Sequence, residues 1–429
     1  MEAVENEPLF AERVAGIDIG KAEVVAAVRV PGPGGRRMQE VRTVPATRRG
    51  LEELADWLEG HGVTRAGMES TGHYWKPVFF TLERRGFECL LYNSRQVKAQ
   101  PGRPKTDKAD AVWLAKITEN GWVRAGFVPP EQIRILREYT RYRRKKIQVM
   151  AAEKNRVQGL LEEGHLKLSS VISDIHGVSG RDMLNALAAG ITDPAVLAAK
   201  ARGTMKVKIP RIAEALDCTF WTIGHARLLR RMLDTLDYLA AQIAGLDAEI
   251  ADLCAPFEAE IARIDEADGI ARRTAEDIIA EIGVNMGAFP TAPHLVSWAR
   301  YCPQIRESAG RRKGRNATGD GNAYLSAAIS EAVIGSLRTG SFTAARYQRL
   351  IRRMPKKKAL VATGNTMLTI IWHLLASPDA TYRDLGGDYY ELRNPARQAR
   401  NHIRSLERLG YHVTINAINP DTGELTPAA

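Results

Sequence analysis

The feature that most limits how this chain of 429 residues can fold is the way its first third breaks short apolar runs with turns. Between residues 13 and 118, "VAGIDIG" and "EVVAAVRV" flank a short turn, and the loop "PGPGG" (31–35) leads into "EVRTVP". Runs of this length, rich in Val and bounded by Gly and Pro, read as strands, so three strands follow one another as a meander. The period then changes. Leu51, Leu54, Trp57 and Leu58 fall on one face of a helix over about 48–60. A strand "TRAGME", a helix from about 75, a strand "FECLLYN" and a helix from near Thr106 complete the order βββαβαβα. That is the order of the ribonuclease H-like fold, an α/β class.

Past this point the pattern is helical. A long basic helix covers residues 131–165, and a helical insert with Gly and Pro breaks covers about 166–225. Leu236, Leu239, Ile243, Leu246, Ile250 and Leu253 then recur at spacings of 3 and 4, a coiled-coil seam that pairs either with the long helix or with another subunit. The stretch "DGIARRTAEDIIAEIG" (268–283) fits a helix-hairpin-helix, whose glycine turn offers N–H groups to phosphate, or an ordinary αα-hairpin. The chain therefore divides into a tail (1–12), an α/β domain (13–125), a helical coiled-coil region with an insert (126–258), a second helical domain (259–385) and an extension (386–429) that looks peripheral. Cys89, Cys218, Cys254 and Cys302 lie far apart without a CxxC, which suits a reducing cytosol rather than a disulfide framework. The N-terminus has no apolar leader, and no later stretch approaches the roughly 20 apolar residues that cross a bilayer, so no membrane association is expected.

Charge placement narrows the partners. Fourteen Lys or Arg against three acids lie between Arg300 and Lys358, an excess equal to the +11 of the whole chain. A basic excess confined to one region is what a phosphate-neutralising surface requires. The basic helix, with Arg141, Arg143, Arg144, Lys145 and Lys146, reads either as an RNA-backbone contact or as a solvated face.

Four acids draw attention by position. Asp18 interrupts the apolar strand "AGIDIG", and Glu69 ends "RAGME". Asp107 and Asp110 open a helix three residues apart, where the common role is capping and dipole compensation. In a ribonuclease H-like sheet the first and fourth strands are neighbours, so Asp18 and Glu69 converge at one end, and the spacing of Asp107 and Asp110 turns both to one helix face. Four carboxylates meeting within a few ångströms need cations, and hard oxygen donors suit Mg²⁺, a pair of which can hold the attacking and leaving oxygens of phosphoryl transfer. Far away in sequence, Ser308 stands in a glycine-rich loop with Arg306, Arg311, Arg312, Lys313 and Arg315. That serine is either a nucleophile, its charge build-up met by the arginines, or a hydrogen-bonding group in a phosphate-binding loop.

"GIDIGK", "MESTGHYW", "KTDKADA", "DGIARRTAEDIIAEIG" and "ESAGRRKG", in this order, resemble the DEDD-and-serine transposases of the bridge-RNA insertion elements, the insertion-sequence one-ten family, over roughly residues 13–375. The resemblance implies a RuvC-like N-terminal domain, a helical coiled-coil segment and a C-terminal transposase domain. It places the acidic tetrad on Asp18, Glu69, Asp107 and Asp110 and the nucleophile on Ser308. It further implies recombination of donor and target DNA directed by a structured noncoding guide RNA, with Mg²⁺, in a homo-oligomer of two to four subunits. The stretch 166–235 and the tail after 385 are longer than in compact members, and "DGIA" replaces the common "PGIG". Competing readings are a RuvC-type nuclease that activates water, a sugar-kinase-like ATPase, whose further phosphate and adenosine loops are not found, and a non-catalytic nucleic-acid scaffold.

Overall fold

A computed structural model describes residues 11–33, 36–70, 72–98, 106–217, 220–303, 307–309, 311–312, 318–319, 321–418 and 425–427. The chain divides into two compact units, Met1–Val128 and Pro129–Ala429.

In the first unit, β1 (Val14–Ile19), β2 (Glu23–Pro31), β3 (Arg37–Pro45), β4 (Arg65–Glu69) and β5 (Glu88–Tyr92) form one sheet in the order β3-β2-β1-β4-β5. β1, β2 and β3 are antiparallel neighbours, whereas β1, β4 and β5 run parallel. This is the ribonuclease H-like topology. Helices α1 (Arg48–Gly60), α2 (Trp75–Arg84), α3 (Ser94–Lys98) and α4 (Asp107–Asn120) accompany it. The Thr47 side chain caps α1 by accepting the Gly50 N–H, and Leu51, Leu54, Trp57 and Leu58 are buried with Ala15, Ile17, Val24, Ala26 and Val28 on one face of the sheet.

The opposite face carries α4, whose Ala111 and Ala115 pack on Val25 and Ala27. Two glycines permit the approach. Gly16 on β1 and Gly67 on β4 are register partners. A Cβ on Gly16 would lie 2.0 Å from the Ala115 nitrogen and 2.3 Å from the Ala111 oxygen, and one on Gly67 would lie 2.0 Å from Thr118 Oγ1. The helix backbone therefore rests directly on the middle of the sheet. Its direction is fixed at the far end. Ala11, ahead of β1, donates its N–H to Glu119 O at 3.0 Å, and the buried Glu119 carboxylate holds Arg29 at 2.8 Å and Arg37 at 2.6 Å. With its C-terminus at the start of β1, α4 runs antiparallel to that strand, and its first turn lies at the strand's C-terminal edge.

The second unit is helical. α5 (Glu131–Glu163) is followed by α6 (Leu168–Val171), α7 (Val178–Ala188), α8 (Pro194–Ala198), α9 (Ile209–Leu216) and the long α10 (Ile223–Cys254). α10 packs antiparallel on α5, and the insert helices close the tip of this pair with a core that includes Val157, Leu161, Met183, Leu187, Leu229 and Leu233. The seam thus pairs within the chain. Leu236, Leu239 and Ile250 are buried, while Ile243, Leu246 and Leu253 are half-buried. Then come α11 (Glu258–Asp265), α12 (Arg272–Ile282), α13 (Ala292–Trp298), a two-stranded hairpin of β6 (Glu307–Ser308) and β7 (Arg311–Arg312), α14 (Ala323–Ser336), α15 (Phe342–Ile351), α16 (Lys356–Ala376), α17 (Tyr389–Leu392), α18 (Pro395–Arg408) and a final pair, β8 (Asn416–Ile418) and β9 (Leu425–Pro427).

Three expectations change here. Gly269, at φ 88°, turns α11 into α12, but a Cβ there would lie 2.1 Å from Ala332 O, so the turn packs on α14 as an αα-hairpin. α16 is long and apolar enough to cross a membrane by length and composition, contrary to the sequence reading, yet Met367, Leu368, Ile371, Leu374 and Leu375 are buried in the unit, as in a core helix. Arg143, read from sequence as part of a basic outer face, is 2% exposed and bonds Asp247 of α10 and Glu276 and Asp277 of α12 at 2.7–3.2 Å. Burial opposes its charge, but these three carboxylates outweigh burial and hold the guanidinium above its ordinary value. Cys89, Cys254 and Cys302 are free thiols, and burial pushes Cys89 and Cys254 up to about 12.

The seat of α4 is directly testable. Gly16→Val leaves β1 able to pair but forces α4 outward, and we expect a loss of about 1–3 kcal/mol in chemical denaturation from overpacking. A variant as stable as the parent would show that α4 does not bear on the sheet at Gly16.

Candidate active site

Side chains alternate along a strand, so Asp18 shares the face of Gly16 and Glu69 shares the face of Gly67, the face covered by α4. Val25, the register partner of Asp18, belongs to the apolar patch that meets α4. Ile17 pairs with Met68 in the parallel ladder, which sets Asp18 and Glu69 side by side one step later, at the C-terminal ends of neighbouring strands. On α4 the face that meets the sheet is set by Ala111, Leu114, Ala115 and Thr118. One turn earlier, Asp107 and Asp110 continue that face to the same edge. Four acids from three elements thus converge on one corner, with Asp18, Glu69 and Asp110 half-buried and Asp107 exposed.

The capping explanation of the aspartate pair is displaced by Thr106, which is the N-cap: its side chain accepts the Ala109 N–H at 3.2 Å. Asp107 and Asp110 remain in the first turn, where the helix dipole favours negative charge. Among the described residues, no three His, Cys, Asp or Glu side chains are gathered closely enough to form a ready-made metal cage. Backbone register and helix direction set these four residues at one strand edge, and no three of their carboxylates are gathered there. The donor set is nevertheless all carboxylate oxygen, the chemistry that suits Mg²⁺ or Mn²⁺ rather than zinc or copper.

In the helical unit Ser308 ends β6, paired with Arg311 of β7 across a tight hairpin, and Ala309 takes φ 51° in the turn. A non-glycine residue in the left-handed region costs about 1 kcal/mol and is held there by its surroundings. Arg311 is exposed. Arg306, Lys313 and Arg315 lie outside the described residues, as do the side chains of Ser308 and Arg312.

Both ends of the serine segment are pinned. At its entry Arg300 adopts φ 63°, the Tyr301 hydroxyl donates to Ser326 O at 3.2 Å, and Asn365 Nδ2 donates to Tyr301 O at 3.2 Å. At its exit Gly321 packs so closely that a Cβ would lie 2.6 Å from Ala299 O. Asn322 then caps α14, accepting the Tyr324 and Leu325 N–H groups, while its Nδ2 donates to Glu281 Oε2 at 2.6 Å. Glu281 is 2% exposed and takes both guanidinium forks of Arg141 at 2.7 and 2.8 Å, with Arg137 Nε at 3.4 Å. Burial pulls Arg137 down to about 10, against the attraction of Glu281. Arg141 lies over the Tyr324 ring at 4.6 Å, and Arg144 reaches Glu331 of α14 at 2.6 Å. Arg137, Arg141, Arg143 and Arg144 therefore tie α5 to α10, α12 and α14 from within, while Lys145 of the same basic run stays exposed. Sequence reasoning missed Glu281 and Asn322. Their signal was an acid on the apolar face of α12 and an Asn directly before the "AYL" run.

A ribonuclease H-like acidic unit followed by a helical unit with a pinned serine hairpin defines the class. Residues 15–166 match the model of DEDD transposases of the IS110 type, described as "Transposase", and residues 261–348 match "Transposase IS116/IS110/IS902 family". The two models together span more than half of the chain, and it belongs to the IS110 family of transposases. Among curated proteins it is 25% identical over 261 residues to "Insertion element IS110 uncharacterized 43.6 kDa protein" of Streptomyces coelicolor, covering 56% of this chain and 60% of that one. It is 26% identical over 163 residues to "Putative transposase y4qE" of Sinorhizobium fredii, covering 37% and 40%. The chain thus spans about three fifths and two fifths of these relatives. Among solved structures the Thermus thermophilus RuvC structure is similar at 14% identity and TM-score 0.21, covering 26% of this chain and 99% of that one.

Glu281→Ala would leave the half-buried Arg137 and Arg141 without their carboxylate, and leaving partly buried polar groups unpaired costs about 1–3 kcal/mol. Chemical denaturation of the variant should show a loss of that order. A change below about 1 kcal/mol would mean that solvent replaces the carboxylate and that the exit of the serine segment is not held by Glu281.

Proposed function

We propose that this chain is the recombinase of an insertion element, cutting and rejoining DNA through a phosphoserine link on Ser308 with a Mg²⁺-dependent tetrad of Asp18, Glu69, Asp107 and Asp110. The observation that supports the reading is the β1–β4 register with the seat of α4, which sets the backbones of these four residues at one strand edge, in a chain whose Ser308 segment is anchored at both ends. Family membership supports DNA as the substrate.

Asp18, Glu69, Asp107 and Asp110 would hold the divalent ions, which when bound would supply Lewis acidity toward phosphate oxygens. Ser308 Oγ attacks the phosphorus of the scissile diester. The Oγ–P bond forms as the bond to the leaving sugar oxygen breaks, the serine proton passes to a base, and the leaving oxygen takes up a proton. Arg306, Arg311, Arg312, Lys313 and Arg315 flank Ser308 in sequence and stabilise the charge that builds on the phosphoryl oxygens. Rejoining is the reverse step with a different strand end, which conserves the phosphodiester without external energy. By the same family resemblance, a structured noncoding RNA selects donor and target DNA, and the acids and the serine that meet at one phosphate come from different subunits of a dimer or tetramer.

The test uses DNA labelled on either side of its break. The parent protein with Mg²⁺ should yield a covalent protein–DNA adduct, lost in Ser308→Ala, in Asp18→Asn and on chelation of the metal. A Ser308→Ala protein that still breaks strands would replace this reading with a nuclease that activates water.

A further inference from the structure

The segment after α16, which the sequence leaves as a peripheral tail, is docked on α15. A Cβ on Gly387 would lie 2.6 Å from Gly340 O. Asp384 accepts the Phe342 N–H at the start of α15 at 3.1 Å, and the Tyr382 hydroxyl donates to Asp384 at 3.0 Å. The Tyr390 ring stacks on Phe342, with centroids 5.6 Å apart and planes at 25°, and Arg346 donates to its hydroxyl at 3.3 Å. Asn394 caps α18 by accepting the Arg397 N–H at 3.1 Å.

Between α15, α17 and the first turn of α18 this docking leaves a groove of about 750 Å³. Arg349, Arg352, Arg393 and Arg397 line it, with Glu391 as the one acid in the lining. The Arg349 guanidinium is held over the Tyr390 ring at 4.4 Å. Among the described residues none of these four arginines takes part in an ion pair, whereas Arg137, Arg141, Arg143, Arg144, Arg263, Arg272 and Arg273 of the same unit all do. Four guanidinium groups around one concavity repel one another, and a bound anion offsets that repulsion. Their planar forks match phosphate oxygens, and the capped N-terminus of α18 adds positive potential at the same place.

The positive sign continues beyond the groove. Arg400, Arg404 and Arg408 follow Arg397 at spacings of 3, 4 and 4 along one face of α18, and all are exposed. Arg353, Lys356, Lys357 and Lys358 follow Arg352 and are exposed as well. A small phosphate needs only the groove, whereas a track on both sides of it suits a polyanionic chain. We propose that this groove binds the phosphodiester backbone of a nucleic-acid strand, as a contact separate from the serine hairpin. The choice of a nucleic acid over other polyanions rests on the recombinase reading.

The test compares the full-length parent with the triple variant Arg352→Gln, Arg393→Gln, Arg397→Gln, leaving Arg349 to hold Tyr390. Fluorescence anisotropy with a short single-stranded RNA, the matching DNA strand and their duplexes is repeated over a range of salt concentration. The variant should lose about tenfold or more in affinity, and the slope of log Kd against log salt should fall by about two to three, one per phosphate contact. The corresponding Lys triple variant, which keeps the charge, should recover most of the binding. A loss with RNA only assigns the groove to RNA, and a loss with DNA only assigns it to the element's DNA. Unchanged affinity and slope on every probe, or a Lys variant as weak as the Gln variant, would overturn the proposal. The parent is assayed alongside for the serine adduct: a protein that loses binding in the triple variant but never forms an adduct refutes the recombinase reading and leaves the groove standing.

Discussion

The seating of one helix on two glycines is the constraint from which the acidic corner follows. Gly16 and Gly67 are neighbours across the β1–β4 ladder; the helix backbone meets the sheet at Gly16, and the Thr118 side chain fills the space above Gly67. That contact sets how far α4 stands from the sheet, and the Glu119 pairs with Arg29 and Arg37 set which way it runs. With distance and direction fixed, the first turn of α4 has one place to go, the strand edge that already carries Asp18 and Glu69. The carboxylates need no contact with one another to be placed. Backbone packing does it, which suits groups that repel until a cation joins them.

In the helical unit, buried charge takes over the part that packing plays in the α/β unit. Arg143 ties α5 to α10 and α12, and Glu281 ties α5 to the N-cap of α14. Such pairs add little net stability compared with apolar packing, but they tolerate no shift in register, because each misplacement strands a charge in the interior. The serine segment emerges between two anchors of this kind, the Tyr301 contacts and the Asn322–Glu281 bond. On the proposed reading, rigid ends around a short hairpin suit a nucleophile that must meet a scissile phosphate, since small misplacements cost large factors in rate.

Much of the first unit was legible because its signals are local. Strand period, Gly and Pro breaks and the Leu51–Leu58 face all report on nearest neighbours, and they give the strand order found. The acids at 18, 69, 107 and 110 were legible as a group only through that topology. The role of Thr106 was not, because a threonine before an aspartate leaves open which of the two caps the helix. The fate of the α5 arginines was illegible for a different reason. Their partners, Asp247, Glu276, Asp277 and Glu281, lie more than a hundred residues away, and a run of basic residues looks the same whether it faces phosphate or buried carboxylate. The apolar length of α16 was passed over in the sequence, and composition alone does not separate a core helix from a membrane helix, which differ only in what covers them.

The most direct measurement of the central claim is metal-directed backbone cleavage of the full-length protein. Fe²⁺ bound in place of Mg²⁺ at an oxygen site, with ascorbate and peroxide, cuts the chain next to the ion. Cuts should cluster at residues 16–20, 67–70 and 106–111 together, and all three should vanish in Asp18→Asn. Cuts confined to one of these segments, or a pattern indifferent to Asp18→Asn, would contradict the convergence of the four acids on one ion-binding corner.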